Sequence, residues 1–186
     1  MTTRVLAWRR TDEDAGHSLA RVERRGAGWL LHGSEVIAGP RVLLACSFRV
    51  EVDDAWATRA VEVVSVAPAG ERRLLLSADG DRRWTRDGAP DPALDGCVDV
   101  DVAATPLTNT LPIRRLGSLA AGEEVVTPVA WVDVPSLRVT RVEQTYRRLD
   151  ARRWRYSDAS HGAFELTVDD DGLVVEYTGM AVRVAG

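Results

Sequence analysis

From Val42 to Val52 every second residue is apolar: Val42, Leu44, Cys46, Phe48, Val50 and Val52. A helix would scatter these side chains around its circumference, whereas an extended chain collects them on one face. Full burial of each large one is worth about 1.5–3 kcal/mol. That is reason enough for the segment to be a strand laid on a core. Arg49 and Glu51 occupy the opposite face, and Leu43 and Ala45 make its early part apolar too. The mixed second face predicts a strand half-covered by another layer.

The same period recurs along the chain. Strands are predicted at 5–8, 18–24, 29–37, 56–66, 125–134, 136–149 and 154–156. Two Asp-Gly pairs, Asp79-Gly80 and Asp171-Gly172, lie between alternating runs and predict hairpins. Leu137 and Val139 are in one phase while Val142, Gln144 and Tyr146 are in the other, which predicts a β-bulge near Thr140 and Arg141. Residues 117–124 suit a short helix or a loop, and the tail from Thr178 a last edge strand or a frayed end. About a dozen short strands with punctuation every 8–12 residues make an all-β protein. The length suits one domain, residues 1–186, with one core. The expected form is a curled, many-stranded antiparallel sheet with little helix.

Charge narrows the partners. The net charge is −4 and every basic residue is arginine. Nucleic acid or an anionic membrane finds no global electrostatic support. Arginine pairs such as Arg72-Arg73 and Arg82-Arg83 read as guards at strand ends. Cys46 and Cys97 do not make a disulfide framework. The first residues lack the apolar core of a signal peptide, and no window approaches a membrane span. The expectation is a cytoplasmic protein with no membrane span.

The stretch from Gly96 to Leu116, GCVDVDVAATPLTNTLPIRRL, changes character halfway. Val98, Val100 and Val102 alternate with Cys97, Asp99 and Asp101, as in a strand. Then Pro106 and Pro112, each without a backbone donor, exclude a central strand. Leu107, Leu111, Ile113 and Leu116 supply apolar anchors, so the expected form is an extended segment pinned against the body. This run resembles the signature of a bacterial glycolipid-binding family. Gln144 with Tyr146, and Val168-Asp169 through Gly172-Leu173-Val174, extend the likeness over most of the chain. The resemblance implies a spiral β-roll.

Motifs for catalysis, metal ligation and nucleotide binding are absent, so no cofactor and no metal is expected. His17, His32 and His161 sit in dissimilar contexts. Asp99 and Asp101 share a strand face about 7 Å apart. They could hold a hard cation, act as acid and base, or accept bonds from backbone and arginine around the 105–112 segment. Gln144, among apolar neighbours, must be satisfied. It could bond to the backbone of residues 108–111 or face a ligand. Arg59 and Arg114 could form buried ion pairs with Asp99 or Asp101, or anchor an anionic or sugar group. Six tryptophans, Trp84 among them, are spread along the chain and could be core or a stacking platform for a sugar. The candidate ligand-binding residues are therefore Arg59, Trp84, Asp99, Asp101, Asn109, Arg114, Gln144 and Tyr146.

The resemblance, together with the abundance of apolar strand faces, implies binding of a glycolipid or lipid-like amphiphile in an apolar hollow of the roll, without catalysis. The alternatives are a hydrolase using Asp99 and Asp101 with arginine, or a purely structural domain in which these residues hold the fold.

Overall fold

The computed structural model describes residues 3–40, 42–103 and 105–186. Strand makes up 59% of it and helix 7%, which places the protein in the all-β class. The first half runs as β1 (Arg4–Arg10), β2 (Ala15–Arg25), β3 (Gly28–Ala38), β4 (Leu43–Val52), β5 (Thr58–Ala67), β6 (Gly70–Ala78), β7 (Trp84–Arg86) and β8 (Ala89–Pro90). Then come β9 (Asp99–Val102), a 3-10 turn at Leu107–Asn109 and α1 (Thr110–Arg115). The remainder is β10 (Glu124–Val132), β11 (Val139–Arg148), β12 (Arg153–Asp158), β13 (Gly162–Val168), β14 (Val174–Tyr177) and β15 (Ala181–Ala185).

All fifteen strands belong to one sheet, ordered β8-β7-β6-β5-β4-β3-β2-β1-β15-β14-β13-β12-β11-β10-β9. Its neighbours are antiparallel except β9 and β10, which run parallel. The edges are β8 and β9, although only residues 91–98 separate them in sequence. Laid flat, such a sheet would hold its edges about 67 Å apart at the usual strand spacing. The link between them reaches about 30 Å fully extended. The sheet therefore has to curl. It rolls up without closing into a barrel, and β9 ends inside. Thr58 at the start of β5 donates its N–H to the carbonyl of Val98 (3.1 Å), and its hydroxyl accepts the N–H of Val100 (3.0 Å).

The alternation in β4 does what its period requires. Leu44, Cys46, Phe48, Val50 and Val52 are buried, while Leu43, Ala45, Ser47, Arg49 and Glu51 are exposed. Residues in register carry this inward face across Leu31, Val61, Val63 and Leu74 into the main core. The ring of Phe48 covers Gly33, where an added Cβ would meet it at 2.2 Å. The outward face of β4 is open to solvent, so the half-covering layer expected there is absent. The covered strand is β9, buried on both faces: Val100 and Val102 meet the main core, and Asp99 on the other side is 1% exposed.

Three local expectations change. The 105–112 segment is not extended: it forms the 3-10 turn and α1. Pro106 precedes the turn, and Pro112 lies in the first turn of α1, where a missing N–H costs nothing. Residues 117–123 are the loop that follows, one of the two forms expected, and Glu124 already opens β10. The register of β10 with β11 is continuous through Thr140 and Arg141, so there is no bulge. The phase change has another cause: Val139 packs into the main core and Tyr146 into a second cluster with Trp154, Tyr156, Leu166 and Tyr177. The two faces of one strand meet two cores. The tail adds β15, but between β1 and β14 in mid-sheet rather than at an edge.

Polar side chains fasten the inserted segment. Arg115 pairs with the buried carboxylate of Asp99 and donates to Thr127 Oγ1 (3.1 Å). Glu35, 1% exposed on the inward face of β3, accepts a hydrogen bond from Ser18 and interacts with the hydroxyl of Thr105. Burial pushes the Glu35 carboxyl up to about 7, opposed by these bonds and by Arg10.

Two outcomes are expected. Arg115→Ala strands a buried carboxylate and costs about 3 kcal/mol. Arg114→Ala costs about 1 kcal/mol, because Arg114 makes one bond to the Asp171 carbonyl and lies over the Trp56 ring. Urea unfolding of the two variants measures the difference; equal losses would contradict the assignment. Glu35 holds its proton in the folded chain after the unfolded chain has lost it. Its contribution to stability is thus greatest at the acid end and falls by about 3 kcal/mol as pH rises from about 4.5 to 7. Glu35→Gln removes that slope, and subtracting the two stability curves against pH tests it.

Candidate functional site

A pocket of about 320 Å³ opens at one end of the roll. Three groups of elements build it. Ile37, Val42 and Leu44, from β3, β4 and the turn between them, make an aliphatic wall with Val134 and Met180. Tyr156, Phe164 and Tyr177 come from β12, β13 and β14, and Trp131 and His161 flank them. Asp101, Thr105 and Asn109 approach from the inserted segment, and Arg10, Asp12 and Glu13 from the β1–β2 turn.

Strand parity explains the aromatic wall. Tyr156 stands opposite Phe164, and Leu166 opposite Tyr177. Tyr156 and Phe164 stack with centroids 6.2 Å apart, and Phe164 meets Tyr177 edge-on at 5.4 Å. Trp131 lies 5.3 Å from the imidazole of His161. Trp131 is the one tryptophan not buried; Trp8, Trp29, Trp56, Trp84 and Trp154 all belong to the core.

The polar wall rests on a chain of hydrogen bonds. Asp101 accepts from Gln144 Nε2 (2.6 Å) and from Thr108 Oγ1 (2.9 Å). Gln144 Nε2 also lies 3.2 Å from Tyr156 Oη, and Tyr156 donates to Asp158. Tyr146 Oη donates to Asn109 Oδ1 (2.9 Å). Burial pushes the Asp101 carboxyl up, the two donors lower it, and the nearby Asp158 raises it further. The carboxylate keeps lone pairs beyond those two bonds. Among the described residues, the Asn109 amide nitrogen and the Tyr177 hydroxyl have no hydrogen-bond partner, and both residues face the pocket. Burial likewise raises the Tyr177 hydroxyl, so it is a neutral donor at physiological pH.

The eight candidates separate accordingly. Asp101 and Asn109 line the pocket. Gln144 and Tyr146 stand behind and hold them; Gln144 bonds to a carboxylate rather than to backbone. Asp99 is turned to Arg115, which closes it to a second cation and to acid–base work with Asp101. Neither Arg59 nor Arg114 pairs with either aspartate. Arg59 bridges Asp53 (2.7 Å) and the Asp79 carbonyl (2.7 Å) in another groove, and Arg114 binds the Asp171 carbonyl (3.0 Å). Trp84 is core: its indole N–H donates to the Cys97 carbonyl (3.0 Å) and anchors the link between the sheet edges. Sequence reasoning missed Arg10, Tyr156, His161, Phe164 and Tyr177. The inward parity of Tyr156, Phe164 and Tyr177 was readable, but nothing along the chain says which strands form the mouth. No group of three or more metal-ligating side chains occurs among the described residues, and none of their helices is long and apolar enough to cross a membrane.

The comparisons agree on fold and family. A family model described as "Putative glycolipid-binding" matches residues 5–183. A crystal structure of a DUF1089 family protein from Pseudomonas aeruginosa superposes with a TM-score of 0.80 at 32% identity, covering 90% of this chain and 92% of that one. No curated protein matches. With nearly the whole chain matched and the rolled sheet shared, the protein belongs to the family described as "Putative glycolipid-binding".

Proposed function

We propose that the pocket binds the sugar head group of a glycolipid or similar amphiphile, without catalysis. One observation carries the reading: a wall with open hydrogen-bonding positions faces an aromatic wall across a space of sugar size. A sugar ring has the matching halves, with apolar C–H faces for Trp131 and Phe164 and hydroxyls for Asp101, Asn109 and Tyr177. The volume of about 320 Å³ lies at the low end for small-molecule sites. It suits one ring and the first methylenes of an aglycone against Ile37, Leu44 and Met180. The interior of the roll is occupied by β9, Leu107 and Leu111, so the apolar hollow of the expectation shrinks to the aliphatic side of this mouth.

Charge selects the head group. Asp12, Glu13 and Asp101 line the pocket, against Arg10 and His161. Arg10 is engaged by Asp12, with Nε to Oδ1 at 2.8 Å. A neutral or amino sugar suits this balance, and a phosphate is repelled.

Alkyl glycosides are expected to bind and to change the fluorescence of Trp131. Asp101→Asn keeps the shape of the side chain but loses charge-assisted bonds of about 1.5–3 kcal/mol, so Kd rises about tenfold or more. Trp131→Ala weakens binding while leaving the melting temperature within a few degrees. Calorimetric titration of wild type and both variants decides. Silence of the wild type toward a panel of neutral and amino glycosides would refute the reading.

A further inference from the structure

We propose that the outer face of β2–β5 docks on an anionic lipid surface and brings the pocket mouth to the bilayer. Leu19, Val36, Leu43 and Val66 are 57%, 58%, 60% and 47% exposed, unusual values for large aliphatic side chains on regular strands. Register makes them neighbours. Val36 stands beside Ala45, which stands beside Val66, and Leu43 faces Ala38. In the next row Leu19 lies beside Ser34 and Ser47. Among these rows the only ionisable side chain on the described outer faces of β2, β3 and β4 is His17, opposite Val36. Four strands about 4.8 Å apart and three rows about 6.8 Å apart cover about 400 Å². That area includes Ser34, Ser47 and His17 beside the aliphatic side chains, and a largely apolar patch of this extent is among the largest a monomer exposes and is often functional.

The next row identifies the partner. Arg21, His32 and Arg49 stand side by side in register across β2, β3 and β4, and all three are exposed. Arg21 shares Glu23 with Arg25, and Arg49 stands opposite Glu62 of β5, whose carboxylate is engaged by Arg73 (2.8 Å); the arginines outnumber the carboxylates in this row. The aliphatic field is bordered by guanidinium groups at its end away from the mouth and by Asp12 and Asp14 of the β1–β2 turn at the mouth; the guanidinium end matches a bilayer with acidic head groups, where side chains enter the interface and arginines meet the phosphates. A second copy of the chain fits less well. The patch is about half of the roughly 800 Å² per partner that a stable dimer buries.

Position supports the same partner. Val36 and Leu43 point outward, while Ile37 and Leu44, their immediate neighbours, point inward and line the pocket. The patch and the aliphatic wall of the pocket are two sides of the same strands. Docking there puts the mouth beside the surface from which an amphiphile would be drawn. That purpose rests on the sugar-binding reading; the docking itself does not.

The test is cosedimentation of the full chain with phosphatidylcholine vesicles containing one-third phosphatidylglycerol, beside pure phosphatidylcholine vesicles. The expected result is binding to the acidic vesicles that weakens at high salt. Val36→Asp with Leu43→Asp lowers it at least tenfold, and Arg49→Glu lowers it several-fold. Both sets lie on solvent-exposed positions, and circular dichroism with thermal melting checks that the fold survives. Absence of wild-type binding, or equal binding by the Asp variant, overturns the proposal. So does a wild-type dimer on a sizing column that the Asp variant converts to monomer, which would make the patch a self-interface. Titration of the Asp variant with an alkyl glycoside separates the two readings. Unchanged glycoside affinity with lost vesicle binding supports docking, and vesicle binding without any glycoside binding leaves docking standing while the pocket reading falls.

Discussion

The eight residues between Pro90 and Asp99 set the shape of this protein. They tie together the two edges of a fifteen-stranded sheet, and they are too short for any flat arrangement. Curling is a matter of chain length before it is a matter of packing. The link is itself held: Trp84 donates backbone and indole N–H groups to Asp95 Oδ1 (2.9 Å) and the Cys97 carbonyl (3.0 Å), and Gly96 donates to the Arg82 carbonyl (2.9 Å). The chain termini feel the same geometry from the other side. Strands β1 and β15 pair in the middle of the sheet, so both halves of the roll hang from the meeting of the two ends.

Rolling an edge strand inside solves one difficulty and creates another. The unpaired edge of β9 is removed from solvent, but its carboxylates go with it. Asp99 and Asp101 stand two residues apart on one face and are treated differently. Asp99 is closed off by Arg115 and serves the fold. Asp101 meets only the neutral donors Gln144 and Thr108 and keeps acceptor capacity at the pocket wall. A buried carboxylate bound by neutral groups is the costlier arrangement, and it lies where a ligand can complete it.

The strands were legible because burial on one face imposes period two, and β4 shows it without exception. The hairpins at the two Asp-Gly pairs were legible because such residues punctuate alternating runs, although each loop spans five residues and the left-handed position is Arg82 in the first and Gly172 in the second. The α1 segment was misread because proline was weighed as a strand breaker, although in the first turn of a helix its missing donor is harmless. The phase change in β11 was misread as a bulge because periodicity assumes one buried face, and a strand inside a roll has two. Among the candidate residues, Asp101, Asn109, Gln144 and Tyr146 do converge. Arg114 was preferred to Arg115, since one step along an unrecognised helix turns a side chain by about 100°.

By itself the sequence determined the local conformation of most of the chain, which faces would be buried, and that the Gly96–Leu116 run would be pinned against the body by its apolar anchors. Those are properties of neighbours along the chain, governed by steric limits and the burial of alternate residues. Only the tertiary structure decided that β9 lies inside, that Asp99 and Asp101 part ways, and that Trp131, His161, Phe164 and Tyr177 gather at one mouth. Those outcomes depend on how far the sheet curls, a sum of small twists over fifteen strands that no short stretch of sequence contains.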